Sequence, residues 1–360
     1  TNPLDEWLRR FFDAGVKGAV DPEIWKGTFQ ALEKAIDTGT GINLAKTAYK
    51  KPGFTLAVKL RENAAAFAAF KNHAEQADLF KLLTDESGKP RGWNEFRKLA
   101  APITGQYNRN WLKAEYNQAV ATSQMAKKWE SFRENADLYP NLMYRTAGDK
   151  NVRASHAILD GVIRPIKDPF WKTNFPPNGW NCRCNVVQTG RKATAGNLVP
   201  EFKPDPGFDF NPGMEGKLFS EKAGYFKSGK ASGKEIVKQV PKLVSGVTRN
   251  DLRGFYQVNP LPVLNLEKFG KIKLTQSDIR KITGKETAID MLKNSLLYDI
   301  ENVVKNAVYI LSAPEGKGRP QYKMWHYYKV SGFDSLYLNF AEYKSGEIKL
   351  HSIEVKLKEN

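Results

Sequence analysis

Four histidines and two cysteines occur in the 360 residues, so the side chains suited to act as acid, base or nucleophile near neutral pH fall in few places. His156, Cys182 and Cys184 form one group, with the acids Asp149 and Asp160 near His156 in sequence. These residues could complete a four-ligand structural zinc site. A disulfide between Cys182 and Cys184 would close a very small, strained ring. Arg145, Arg153 and Arg183 offer a metal-free alternative, in which charge-assisted hydrogen bonds to Asp149, Asp160 or Asp168 pin an irregular loop. That polar clamp, with no cofactor, is the expected reading, and zinc is the alternative to it. A hydrolytic Cys/His pair finds no sign of an oxyanion site in the run Pro176-Pro177-Asn178-Gly179-Trp180.

His326 and His351 mark a second group near the C-terminal end. Metal-independent cleavage of RNA needs a base for the ribose 2′-OH, an acid for the leaving oxygen, and cations or donors around the phosphorane. His326 or His351 is the candidate acid/base, Arg319 and Lys323 the phosphate contacts, and Tyr322 or Tyr328 a stacking or proton-donating group. Glu342 or Glu347 could replace a histidine as base. The two-residue strand period places Tyr322, Met324, His326, Tyr328 and Val330 on one face. On the last strand the apolar parity changes from Ile348 and Leu350 to Ile353 and Val355, which predicts a bulge near His351-Ser352 that could re-aim His351 toward a cleft. Trp325, Tyr327 and Tyr337 are candidates for base stacking.

The elements that must carry these groups fall into an α+β chain. Asp21-Pro22 is a helix start, and Trp25, Phe29, Leu32 and Ile36 form its apolar stripe until Gly39 and Gly41 stop it. The Ala-rich stretch 60–83 predicts a helix with Phe67, Phe70, Ala74 and Ala77 on one face. A long helix is expected over 107–135, with Leu112, Tyr116, Ala119, Ser123 and Ala126 as its stripe, and a short strand over Leu142–Arg145. Residues 165–184 are too rich in Pro, Gly and Asn for a regular helix. Gly216–Lys242 carries seven Lys against two Glu and reads as a solvated basic tether. Ser277 and Asp278 can start a short helix, and Glu286–Val304 a longer one. Strands are then expected at Ala307–Ser312, Tyr322–Val330, Ser335–Phe340 and Ile348–Lys356. The expected organisation is a mainly helical region with an irregular Cys-containing loop (1–190), a Pro/Gly/Lys-rich linker (191–254), and a small α+β domain with an antiparallel four-stranded sheet (255–360).

Composition narrows the partners. Apolar residues make up 41%, enough for a packed interior, and the formal net charge of +17 favours an anionic partner: nucleic acid, an acidic protein surface or anionic lipid. No window approaches an uninterrupted apolar span and Thr1-Asn2-Pro3 begins no signal peptide, so no membrane partner is expected.

The block Tyr144-Arg145, Asp149, Arg153, His156 and Asp160-Gly161, followed by Pro176-Pro177-Asn178-Gly179-Trp180-Asn181-Cys182-Arg183-Cys184, resembles the phage Mu F-like head morphogenesis family. The resemblance takes in roughly residues 1–190. It implies a minor head protein, present in few copies in the virion head, with portal or capsid proteins as partners and packaged DNA nearby. Residues 255–360 are similar, in element order and in being joined to such a protein, to phage-borne toxins of the barnase, EndoU, colicin and RelE type. That likeness implies a metal-independent endoribonuclease with RNA as substrate, an immunity protein as partner, and action in the host cytoplasm during assembly or after delivery. The alternative is a purely structural head or portal-associated protein whose basic domain binds DNA or protein without catalysis.

Overall fold

The computed structural model describes residues 3–14, 18–283, 291–316, 318–333 and 335–355. It divides into two compact units, one formed by Thr1–Gly41 and Lys59–Val240, the other by Ile42–Val58 and Pro241–Asn360.

The first unit opens with helices α1 (Pro3–Ala14) and α2 (Pro22–Thr40), followed by α3 (Phe54–Phe80), most of which lies in this unit. Asp21 caps α2 by accepting hydrogen bonds from the amides of Glu23 (3.0 Å) and Ile24 (3.1 Å), and Gly41 caps its C-terminal end. The stripe Trp25, Phe29, Leu32 and Ile36 is wholly buried. Gly39 does not stop α2 but lies within its last turn, where the helix approaches α5 (Leu112–Glu134). A Cβ at Gly39 would stand 2.6 Å from the Val120 carbonyl oxygen, so only glycine fits. Gly39→Ala is expected to cost about 1–3 kcal/mol through overpacking, read as a lower denaturant midpoint; an unchanged midpoint would show that α2 and α5 do not need this approach.

Between α3 and α5 lie α4 (Trp93–Gly105) and one π-helical segment, Gln106–Trp111. The π turn places Asn108 against Glu75 (2.6 Å) and the Tyr107 hydroxyl on Asp78 (2.8 Å). Buried charge concentrates here. Lys71 pairs with Glu115, whose other oxygen accepts from the Tyr225 hydroxyl at 3.1 Å. The helix α3 is apolar or buried over most of its circumference; Ala77, expected on its buried face, is exposed.

Beyond α5 a small antiparallel sheet forms in the order β2-β1-β3, with β1 at Asn141–Arg145, β2 at Ile163–Pro165 and β3 at Asn185–Thr189. Two one-turn helices interrupt its connections, α6 (Ala154–Ala157) and α7 (Phe170–Thr173). Leu142 and Tyr144 of β1 pack on Trp129, Phe132, Trp171 and Phe175 in one apolar cluster. The 191–254 stretch is more ordered than a tether. It holds α8 (Pro212–Glu215), α9 (Gly224–Ser228) and most of α10 (Gly233–Val258). Phe208, Phe210, Leu218, Phe219, Ile236 and Val240 are buried, and Phe219 stacks on Phe67 at 3.8 Å. Lys222, Lys227, Lys230, Lys234 and Lys238 are exposed while Leu218, Phe219, Ile236 and Val240 among them are buried, which explains why the segment reads as a basic, solvated stretch. The division between the units falls inside α10, at Pro241.

In the second unit, α10 is followed by a hairpin absent from the sequence expectation, β4 (Val263–Leu266) with β5 (Gly270–Lys273). Next comes α11 (Gln276–Thr283), capped by Thr275 and Asp278 bonded to each other rather than started by Ser277. The start of the expected Glu286–Val304 helix lies outside the described residues. From residue 291 it is α12 (Met291–Ser295), a 3-10 turn, and α13 (Ile300–Lys305). The four expected strands follow as a meander: β6 (Ala307–Pro314), β7 (Tyr322–Val330), β8 (Leu336–Tyr343) and β9 (Ile348–Val355), all antiparallel. The class is α+β. Among the described residues no helix is long and apolar enough to cross a membrane.

Candidate functional site

In the first unit, the loop 174–184 folds back across β1. The Tyr144 hydroxyl, at the buried end of that strand, donates to Asn178 Oδ1 at 2.7 Å, and the Asp205 amide donates to the Asn178 carbonyl at 3.0 Å. Burial pushes the Tyr144 phenol well above its usual range. Gly179 sits so close to Asp205 and Arg153 that a side chain there would displace both, and Asn181 takes a left-handed backbone (φ 58°) that asparagine tolerates. These constraints return the chain so that Cys182 and Cys184 face His156 of α6. His156 Nδ1 lies 3.6 Å from Cys182 Sγ and 3.5 Å from Cys184 Sγ. Hydrogen bonding within the thiol pair favours the thiolate at Cys182, pushed down to about 4, and holds Cys184 protonated. A cavity of about 310 Å³ opens beside the group, lined by Ala147, Asn151, Arg153, Asn181 and Arg183.

The expected clamp residues take separate places. Arg183 makes a two-pronged pair with Asp149, both bonds 2.6 Å. Arg145 approaches Asp160 at 3.4 Å, while Asp160 also accepts from the Thr146 amide. Arg153 donates to the Trp180 carbonyl instead of to an acid, and Asp168 pairs with Arg164, a residue the sequence did not single out. Among the described residues the possible metal ligands that converge here are three, His156, Cys182 and Cys184. Asp149 and Asp160 do not join them: Asp149 is held by Arg183, and Asp160 accepts from the Thr146 amide and faces Arg145. Trp180 is 39% exposed and packs edge-on against Phe208.

In the second unit, the expected bulge is present. Asn339 pairs with Ser352 and Phe340 with Leu350, leaving His351 as the extra residue of β9. The expected site residues separate into two sets. His351, Tyr322 and Arg319 gather around Trp325: the His351 ring meets the Trp325 ring edge-on at 4.8 Å, Tyr322 lies 4.9 Å from it, and the Arg319 guanidinium sits 4.6 Å above it. A register shift between Tyr322 and Met324 explains why Tyr322 leaves the face of His326 that strict alternation would give it. A groove of about 770 Å³ runs from this cluster over Tyr327, Tyr337, Asn339 and Glu354.

His326, Tyr328 and Lys323 belong to the second set, away from that groove. His326 is 3% exposed; its Nδ1 is 2.6 Å from Ser312 Oγ, its Nε2 is 3.3 Å from Glu342, and Phe269 covers its ring. Burial holds it below the usual imidazole range, against the pull of Glu342. Lys323 pairs with Glu342 at 2.7 Å, Tyr328 is buried against Phe340, and Glu347 pairs with Lys349. Sequence reasoning missed Glu315, which accepts from Trp325 Nε1 (2.6 Å) and Arg319 (2.9 Å), and the chain Asn339–Ser352–Glu354 on the groove floor (3.1 and 2.8 Å). Asn339 Oδ1 is buried with no hydrogen-bond partner among the described residues. Its place opposite Ser352, next to the bulge, was the available signal.

The cysteine loop on its small sheet lies in a stretch that is similar to known sequences. Residues 29–187 match the sequence model of the family described as "Phage Mu protein F like protein". The chain is 41% identical over 75 residues to "Putative capsid assembly protein F" of Escherichia phage Mu, which is 21% of this chain and 17% of that protein. It is 42% identical over 65 residues to the Mu-like prophage FluMu F protein of Haemophilus influenzae, 18% of this chain and 16% of that protein. The alignments therefore take in under a fifth of the length of either curated relative. No solved structure matches the chain. The family match ends at residue 187, so a ribonuclease reading of the second unit rests on its groove alone.

Proposed function

We propose that the protein is a minor head protein of a tailed phage or prophage, seated by its first unit against portal or capsid proteins, and that its second unit is a metal-independent endoribonuclease. The first half of this reading is carried by the match of residues 29–187 to the Mu F-like family, whose phage Mu relative bears a capsid-assembly name. Its test is co-expression with the portal and major capsid proteins of the phage that encodes it. The chain should sediment with assembled heads in a density gradient. A folded chain left at the top of that gradient contradicts the reading.

The ribonuclease half is carried by the bulge that turns His351 into a groove shared with Arg319, Trp325 and Glu354. His351 and Glu354 supply an acid/base pair, one removing the 2′-OH proton while the other protonates the departing 5′ oxygen, which leaves a 2′,3′-cyclic phosphate. Arg319, restrained by Glu315, faces the phosphate. Tyr327 and Tyr337 offer stacking faces for bases. Full-length protein should cut a labelled RNA in the presence of EDTA. Salt-sensitive RNA binding without cleavage supports instead a nucleic-acid-binding structural unit. An active unit of this kind acts in the host cytoplasm and calls for a small acidic immunity protein, encoded beside it, to cover the groove.

A further inference from the structure

We infer that His156, Cys182 and Cys184 form a zinc site, with the fourth position taken by water from the adjoining cavity. The argument starts from distances. A tetrahedral zinc ion about 2.3 Å from sulfur and about 2.0–2.1 Å from nitrogen places each sulfur about 3.6 Å from that nitrogen. Here the two sulfurs stand 3.6 and 3.5 Å from His156 Nδ1, and all three donor atoms lie within 4.8 Å of one another. Hydrogen bonding alone accounts poorly for this arrangement. One ring nitrogen carries either a single N–H or a single in-plane lone pair, so it serves one thiol well, yet two thiols converge on it. A shared cation serves all three.

The donor set selects the metal. Thiolate and imidazole favour zinc among the common divalent ions and disfavour magnesium and calcium, which take oxygen ligands. The second requirement is a held framework, and the surroundings provide it. His156 is fixed by the short helix α6, and its ring packs edge-on against Phe202 at 5.6 Å. The two cysteines are fixed by the Tyr144–Asn178 bond, by the close approach at Gly179, and by Arg183 held on Asp149. Binding releases to solvent whatever thiol proton remains on the pair and leaves a neutral unit of one zinc ion, two thiolates and one imidazole, whose open side faces Arg153 and Arg183. Such an ion ties α6 to the returning loop, which the described contacts otherwise join through Arg153 and Trp180 and through the half-exposed pair of Arg183 and Asp149.

The test uses the full chain, expressed with zinc in the medium and purified without chelator. Elemental analysis should give about one zinc per chain. Cobalt loaded into the apoprotein should produce thiolate-to-cobalt charge-transfer absorption in the near ultraviolet. Cys182→Ser and Cys184→Ser should each lose bound zinc and weaken that band, whereas Asp149→Asn should keep about one zinc per chain, since its carboxylate lies outside the donor set. Folded wild-type protein holding less than ~0.1 zinc per chain, with both thiols free to react or joined in a disulfide, overturns the assignment. Zinc retained in both serine variants would overturn it as well. The wild-type result stands even if a variant fails to fold.

Discussion

His351→Ala in the full chain is expected to slow RNA cleavage in EDTA by about 10²–10⁴-fold, the range for removing a positioned acid or base. The size of the effect follows from the bulge. His351 is the extra residue of β9 at the register shift with β8, and its ring stands edge-on to Trp325 within the groove. Replacing it leaves the ladder on either side intact, so the folded unit should persist. His326→Ala is the contrasting variant. That ring is buried and bonded to Ser312, so its loss is expected to cost about 1–3 kcal/mol of stability, with cleavage per folded molecule little changed. Rates are read on a labelled RNA, with circular dichroism reporting the folded fraction. A His351→Ala protein that cuts at the wild-type rate removes the histidine from the reaction; a wild-type protein that leaves RNA intact removes the reaction itself.

Glu75→Gln is expected to flatten the pH dependence of the first unit's stability. Burial pushes the Glu75 carboxyl up to about 8, against the Asn108 hydrogen bond and Lys71, which favour its ionised form, while Asp21 and Glu115 push the same way as burial. In the unfolded chain the group ionises near pH 4.5. Between these values the folded state holds a proton that the unfolded state has lost. Its stabilising contribution is therefore full below about pH 4.5 and falls as pH rises toward 8. Wild type should lose about 3 kcal/mol relative to Glu75→Gln between pH 5 and pH 8. Chemical denaturation at the two pH values measures the difference. Parallel behaviour of the two proteins would mean that Glu75 is ionised in place, its second oxygen reached by water.

Much of the architecture was legible in the residues because local signals and packing agree. Asp21-Pro22 caps α2 as its sequence requires, and Trp25, Phe29, Leu32 and Ile36 are all buried. The parity change along β9 located the bulge at His351. Other features depend on what lies across the interior. The charged groups Lys71, Glu75 and Glu115 sit on helices whose sequence reads as ordinary amphipathic surface, and only packing around α3 shows them buried. The 191–254 segment carries its apolar residues in ones and twos among lysines, glycines and prolines, so its burial is set by partners distant in sequence, such as Phe67 against Phe219. The two-residue rule placed Tyr322 with His326, and one register shift undoes that.

Cross-linking mass spectrometry on gradient-purified heads containing the full chain tests most directly whether the Mu F-like stretch seats the protein. Cross-links to portal or capsid proteins should arise from exposed lysines of residues 29–187 in the first unit, such as Lys113 and Lys150. Cross-links confined to 241–360, or heads free of the chain, would contradict it.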